Sequence, residues 1–229
     1  MAKQARRGAG TRRGKSAAGK ARKTGAGTAR RSVSDRAIDA AMELAAERGW
    51  RDLSLAEIAE AAGLSIAELH AVYPSKQALL SGFVRRIDAV VLAGAEPDAR
   101  AGSAKDRLFD VLMRRFDALK PYRKALGRIL CDQGRDPLAA LCGLCLYRRS
   151  LATMLEAADL AADGLRGRLR VKGLGLAYAG AFRTWLRDDS DDLAPTMAAL
   201  DRQLGRLERA ARICSRLPRR STVSAENPI

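Results

Sequence analysis

Three sets of residues in this chain have the type and spacing to do chemistry. The first is a run of cations: residues 1–31 hold eleven Lys or Arg and no acid, which is charge suited to polyphosphate or another anionic surface. The second lies between Ser54 and Lys76, where Ser54, Ser65, Glu68, His70, Ser75 and Lys76 follow one another at helical intervals and can hydrogen-bond outward or cap helix ends. The third is a pair of metal-like patterns, Cys142-Gly-Leu-Cys145 and Asp188-Asp189-Ser190-Asp191-Asp192. A zinc site on the first would need two further ligands, and the only histidine, His70, lies far away in sequence. The acidic run reads as a solvated turn in which Ser190 caps the last helix and Asp191 and Asp192 meet its positive end. The four cysteines, with apolar neighbours, read as small buried hydrophobes. One histidine, no glycine-rich phosphate loop and no positioned nucleophile argue against an enzyme, and no cofactor or metal is expected.

The elements that must position the second set are legible in detail. Ser54 with Glu57, and Ser65 with Glu68, each form an S-x-x-E capping box: the serine oxygen accepts from an orphan amide and the glutamate reaches back to the cap. Leu55, Ile58, Ala59 and Ala62 fall at i, i+3, i+4 and i+7, one apolar face of one short helix. Gly63 stands where a left-handed residue ends that helix without steric cost. Leu69 and Tyr73 continue an apolar stripe along the second helix, and Tyr73-Pro74-Ser75-Lys76 ends it and caps a third. Two capped helices about a glycine turn predict a helix-turn-helix.

Composition bounds the rest. The chain has 229 residues, 47% of them hydrophobic and only 4% aromatic, and a net charge of +16. Alanine, leucine and arginine favour helices, so the fold class expected is all-α. No run approaches eighteen uninterrupted apolar residues, so no membrane span is expected, and the N-terminus lacks the apolar core of a secretory signal; cytoplasm is the expected location. Eleven of the sixteen excess charges lie in residues 1–31, a Gly-, Ala-, Ser- and Arg-rich segment too poor in apolar groups to offset its ordering entropy. Residues 1–33 are therefore expected to form a disordered basic tail, 34–82 a helix-turn-helix head, 83–217 a helical body, and 218–229 a flexible end.

Within the head the first helix is predicted from Ser34 to Arg48, with Ile38, Ala41, Met42 and Ala45 inward and Gly49 ending it. A longer helix from Ser75 to about Ala93 joins head to body. The body is predicted as amphipathic runs over Ala104–Leu119, Pro121–Asp132, Pro137–Ala162, Arg166–Arg187 and Ser190–Leu217. Gly173, Gly175, Ala177, Ala179, Gly180 and Ala181 give one of these a small-residue face, suited equally to a two-fold interface or to a close crossing within the chain.

The stretch Ala40 to Leu80 resembles the N-terminal domain of TetR-family transcriptional regulators, through AAMELAAERGW (Ala40–Trp50), LSLAEIAEAAGLS (Leu53–Ser65) and YPSKQALL (Tyr73–Leu80). The resemblance implies an N-terminal helix-turn-helix head on a helical bundle, a homodimer, double-stranded DNA as partner, and a body enclosing a small apolar effector. It places Ser65, Ile66, Ala67, Glu68, His70 and Ala71 at the DNA face, with Ser54, Tyr73 and Ser75 flanking it and Lys76 at the family's phosphate-contacting lysine. The body aromatics Phe109, Phe116, Tyr147, Tyr178, Phe182 and Trp185 read at helical spacing first as core, and are also the candidates to line the effector cavity that the resemblance implies. The chain departs from the family pattern where Glu68 replaces a hydroxyl, His70 replaces a tyrosine, and Ala71 and Val72 lack donors. A second departure is Ala45, where the family has an aromatic residue; Trp50 is the candidate to fill that space.

The C-terminal half is also similar to the coenzyme Q biosynthesis accessory family, through DRLFDVLMRRFDALKPYRKALGRIL (Asp106–Leu130) and the Trp-x-x-Asp within Leu174–Leu207. That likeness implies a TetR-like fold without operator binding whose body holds an isoprenoid near Tyr178, Phe182 and Trp185. The expectation is a one-component regulator, a repressor released by an apolar effector, with the lipid-binding accessory protein as alternative.

Overall fold

The computed structural model describes residues 18–94 and 102–216, with side chains from Val33 to Ile213 outside the gap. The head comprises α1 (Ala18–Arg48), α2 (Leu55–Ala61), α3 (Ile66–Val72) and α4 (Lys76–Ala93). The body follows as α5 (Ala104–Leu119), a 3-10 turn (Lys120–Tyr122), α6 (Arg123–Gln133), α7 (Pro137–Ala157), α8 (Gly164–Trp185) and α9 (Ala194–Arg216). No strand occurs among the described residues, as expected of an all-α chain.

The first correction concerns α1, which begins at Ala18 rather than Ser34. Part of the segment expected to be a disordered tail is therefore helical. Once packing fixes the turns from Val33 onward, each added residue contributes one hydrogen bond, against the cost of Gly19, Gly25 and Gly27 in a helix interior. The remainder of that segment, residues 1–17, and the C-terminal end from residue 217 lie outside the described residues.

From Ala37 on, α1 follows its apolar spacing: Ala37, Ile38, Ala41, Met42 and Ala45 are buried. This face packs on α2, α3 and α4, and α1 also touches α6 of the body. α2 ends in a Schellman motif: Gly63 takes φ 62°, its amide bonds the Glu60 carbonyl at 3.0 Å, and the Leu64 amide bonds the Ala59 carbonyl at 2.8 Å. The turn thus satisfies the orphan carbonyls that would otherwise end α2 bare. A second glycine has a packing role. A Cβ on Gly82 of α4 would overlap the Tyr73 ring and its hydroxyl.

In the body, α5 buries Leu108, Val111, Leu112, Phe116 and Leu119 against α4, α7 and α9. The small face of α8 is used within the chain. A Cβ on Gly173 would lie 2.5 Å from Leu207 and one on Gly180 would lie 2.8 Å from Gln203, both on α9. Gly175 instead faces Leu151 and Tyr147 of α7. α7 is long and apolar enough by length and composition to cross a membrane, yet Ser150, Leu151, Met154 and Leu155 are buried in the bundle.

Three further expectations are corrected. α7 stops at Ala157 rather than Ala162, because Asp159 adopts φ 59° and the Leu160 amide turns back to Leu155 at 2.9 Å. Cys131 of α6 and Cys142 and Cys145 of α7 are exposed rather than buried, and the first half of α7 projects from the bundle with Leu138, Leu141 and Leu144 also in solvent; the side chain of Cys214 lies outside the described residues. The acidic run is not simply a solvated turn, and Ser190 does not cap α9. Asp188 is buried, and its carboxylate accepts from the Ser190 amide (3.1 Å) and hydroxyl (2.5 Å) and from the Thr196 amide (3.0 Å) and hydroxyl (2.5 Å). It ties the turn after α8 to the first turn of α9.

Burial opposes charge on Asp188, but those four donors outweigh it and hold the carboxyl down at about 2. Because an unfolded aspartate titrates near 3.9, the stabilisation is complete above about pH 4 and is lost as pH falls toward 2; linkage puts it at about 2–3 kcal/mol. Asp188→Asn is expected to lower the melting temperature at pH 7, with a deficit that shrinks as pH drops from 4 to 2. Melting curves of both proteins across that range check this, and a pH-independent deficit would contradict it.

Candidate nucleic-acid interface

The exposed side of α3 is built by its cap. Ser65 Oγ accepts from the Glu68 amide at 3.2 Å, while Glu68 Oε2 accepts from the Ser65 amide at 2.9 Å and the Ser65 hydroxyl at 2.7 Å. Hydrogen bonds from Ser65 side chain and backbone hold the Glu68 carboxyl below its ordinary range, with the nearby Arg36 guanidinium adding to the effect. Ser54 and Glu57 repeat the arrangement at α2, and Ser75 Oγ caps α4 by accepting from the Ala78 amide at 3.1 Å.

With Leu69 fully buried, α3 turns Ser65, Ile66, Ala67, Glu68, His70 and Ala71 to solvent, and Ile66 is 50% exposed. The six residues expected at the outer face are therefore together on it. The bonding capacity of that face is small. Ser65 and Glu68 are engaged with each other, Ile66, Ala67 and Ala71 carry no polar side-chain atom, and His70 remains.

Two flanking residues sit differently from the expectation. Tyr73 is buried at 4% exposure, its hydroxyl 2.5 Å from Ser34 Oγ, so it is a link between α3 and α1. Lys76 does not extend outward. Its ammonium donates to the carbonyls of Trp50 (2.9 Å), Arg51 (2.9 Å) and Leu53 (2.7 Å), and it lies 5.6 Å from the centre of the Trp50 ring. All three N–H groups are used inside the head. Burial lowers the Lys76 pKa, against the attraction of Asp52, Asp132 and Glu57. Trp50 is itself buried, in the same core cluster as Ala45.

The other half of this clamp was not visible in the sequence. Asp132 of α6 accepts from the Trp50 amide at 2.7 Å and the Arg51 amide at 3.1 Å, bonds that hold its carboxyl below the ordinary range. Arg128 donates to the Glu47 carbonyl at 3.0 Å, and Arg36 reaches the Ala62 and Gly63 carbonyls at 3.4 Å. Arg86 of α4 bridges Asp39 of α1 (2.7 Å) and Tyr122 of the body (2.7 Å). These partners are 26 to 82 positions apart, beyond the reach of local spacing.

In the body, five of the six aromatics expected at a pocket meet. Phe116 stacks on Tyr178 at 5.0 Å and touches Phe182 and Trp185, and Tyr147 joins through Tyr178 at 6.1 Å. Phe109 is apart, on an open recess of ≈ 450 Å³ between α5 and α9.

Residues 37–82 match the family described as bacterial regulatory proteins, tetR family. No curated protein matches the chain. Among solved structures it is similar to a TetR transcriptional regulator from Nitrosomonas europaea, with a TM-score of 0.64 and 24% identity over 76% of this chain and 97% of that one. It is also similar to one from a Rhodococcus species (0.57, 22%, 77% and 96%) and one from Streptomyces coelicolor (0.53, 19%, 81% and 85%). At these identities the likeness establishes a shared fold, the helix-turn-helix head on an all-helical body.

Lys76→Met keeps the aliphatic stem and removes the three bonds. Orphaned carbonyls cost about 1–3 kcal/mol, so urea denaturation is expected to show a loss of that order in free protein. A side chain used for phosphate contact alone would leave free-protein stability unchanged.

Proposed function

We propose that the chain is a DNA-binding transcriptional regulator of the TetR type, acting as a homodimer in the cytoplasm. The observation that carries this reading is the capped α2–α3 pair, which presents Ser65, Ile66, Ala67, Glu68, His70 and Ala71 to solvent on a head packed against α1 and α4. In a dimer, two such faces would enter successive major grooves about one helical turn apart. The basic N-terminal segment would supply the phosphate attraction that the outer face lacks, since cations on a flexible or helical arm neutralise phosphates without reading sequence. Exposed Leu165, Leu169 and Leu176 on α8 are apolar surface available to a second copy. The role is taken as repression, relieved when an apolar effector in the aromatic body shifts head spacing; such couplings are about 1–3 kcal/mol. No catalytic activity is assigned.

The engagement of Ser65 with Glu68 favours a second reading, a lipid-binding accessory protein with a TetR-like fold and no operator. Under it, the rings around Tyr178, Phe182 and Trp185 would hold an isoprenoid chain.

Fluorescence anisotropy on the chain's own upstream DNA, with and without residues 1–31, separates the two. The regulator is expected to bind a defined site, with log K falling against log salt by about 0.9 per phosphate contact, and to lose several such contacts with the segment while keeping its sequence preference. Binding that vanishes with the segment, with no preferred sequence left, would sink it; isoprenoid co-purifying with the protein would support the alternative.

A further inference from the structure

The first half of α7 is held by the bundle along one side only. Gly143 turns toward Gln133 of α6, and the Tyr147 hydroxyl donates to the Gly175 carbonyl of α8 at 2.7 Å. The opposite side carries Leu138, Leu141, Cys142 and Cys145, at i, i+3, i+4 and i+7. All four are exposed, Leu138 to 71% and Leu141 to 58%. This spacing is the one by which a helix lays an apolar face on a partner helix, and among the described residues nothing covers it.

The stripe carries opposite charges at its two ends. Asp136 precedes it and Arg148 and Arg149 follow it, all three exposed and none in an ion pair among the described residues. The acid and the two bases are twelve and thirteen positions apart, about 18–20 Å along a helix. Two copies of the stripe laid parallel would set acid beside acid and base beside base. Laid antiparallel, they set Asp136 of each copy beside Arg148 and Arg149 of the other, and the midpoint of that register falls at Cys142. A two-fold axis there makes both end contacts at once, the self-complementary arrangement of an isologous interface. The net charge of +16 opposes the meeting of two copies. At about 0.15 M salt, however, exposed charges are screened beyond about 8 Å, whereas partly buried pairs at a contact are screened much less.

We propose that α7 is a self-docking surface. The Leu138–Cys145 stripe of one copy packs antiparallel on the same stripe of a second copy, with Asp136 paired to Arg148 and Arg149 at each end. The contact is separate from the exposed leucines of α8 and goes beyond the DNA-binding reading, on which it does not depend.

The test is sedimentation velocity on the full chain, in thiol reductant and about 0.15 M salt, from low to high micromolar protein. Wild type is expected to associate reversibly. Leu141→Glu, at an exposed position, is expected to move the midpoint at least tenfold higher in concentration with the melting temperature unchanged. Arg148→Glu with Arg149→Glu sets acids beside Asp136 and is expected to weaken association likewise. Adding Asp136→Lys to that chain reverses every charge and is expected to restore it. The two ends of one stripe are too far apart to touch, so such recovery arises between copies. Asp136 also caps α7, accepting from the Leu138 and Ala139 amides at 2.9 and 3.1 Å, so folding of the swapped chain is checked first. If it does not fold, Asp136→Asn keeps a capping side chain without the charge and is expected to weaken association by itself; unchanged association overturns the proposal. A wild type that stays monomeric overturns it, as does association untouched by Leu141→Glu or abolished only by Leu169→Glu on α8. A folded swapped chain that does not recover overturns it too. So does a monomeric chain that cosediments with phosphatidylserine vesicles and loses them with Leu141→Glu, because the stripe is then a lipid-facing surface.

Discussion

The head of this protein depends on how one loop is held. Residues 49–54, between α1 and α2, carry backbone carbonyls and amides that local structure leaves without partners. Lys76 takes three of the carbonyls and Asp132 takes two of the amides. A cation from the start of α4 and an anion from the end of α6 thus fix the same loop from opposite polarities. The position of α2 follows from that loop, and the position of α3 follows from α2 through the Gly63 turn. The orientation of the outer face is in this sense set by a body residue as much as by the head.

Local chemistry was readable in the sequence and distant chemistry was not. The boxes at Ser54–Glu57 and Ser65–Glu68, the left-handed Gly63 and the inward face of α1 all depend on neighbours within four or five positions, where spacing carries the information. The partners of Tyr73 and Lys76 were hidden for the opposite reason: a side chain of either type suits a phosphate or a backbone, and only the folded chain brings Ser34 and the Trp50 carbonyl within reach. Asp188 was likewise hidden among four aspartates, because its distinction is burial beside Thr196 rather than anything in the run itself. The cysteines of α7 show the limit of reading apolar neighbours as core, for a helix can be apolar along a stretch that nothing covers.

Head and body also differ in where their polar groups find partners. The outer face of α3 has spent its serine and its acid on each other, so it is smooth and poor in donors. In the body the polar groups beside the rings pair across elements: Arg115 with Asp88, and the Tyr147 hydroxyl with the Gly175 carbonyl at 2.7 Å.

The uncovered half of α7 has a chemical consequence of its own. Cys142 and Cys145 stand in solvent beside Leu138 and Leu141, and Cys131 is exposed on the neighbouring α6. Two chains that meet through these leucines in an oxidising solution can become joined by a covalent sulfur link that owes nothing to helix packing. A dimer held by complementary surfaces is the one that persists in the presence of a thiol reductant.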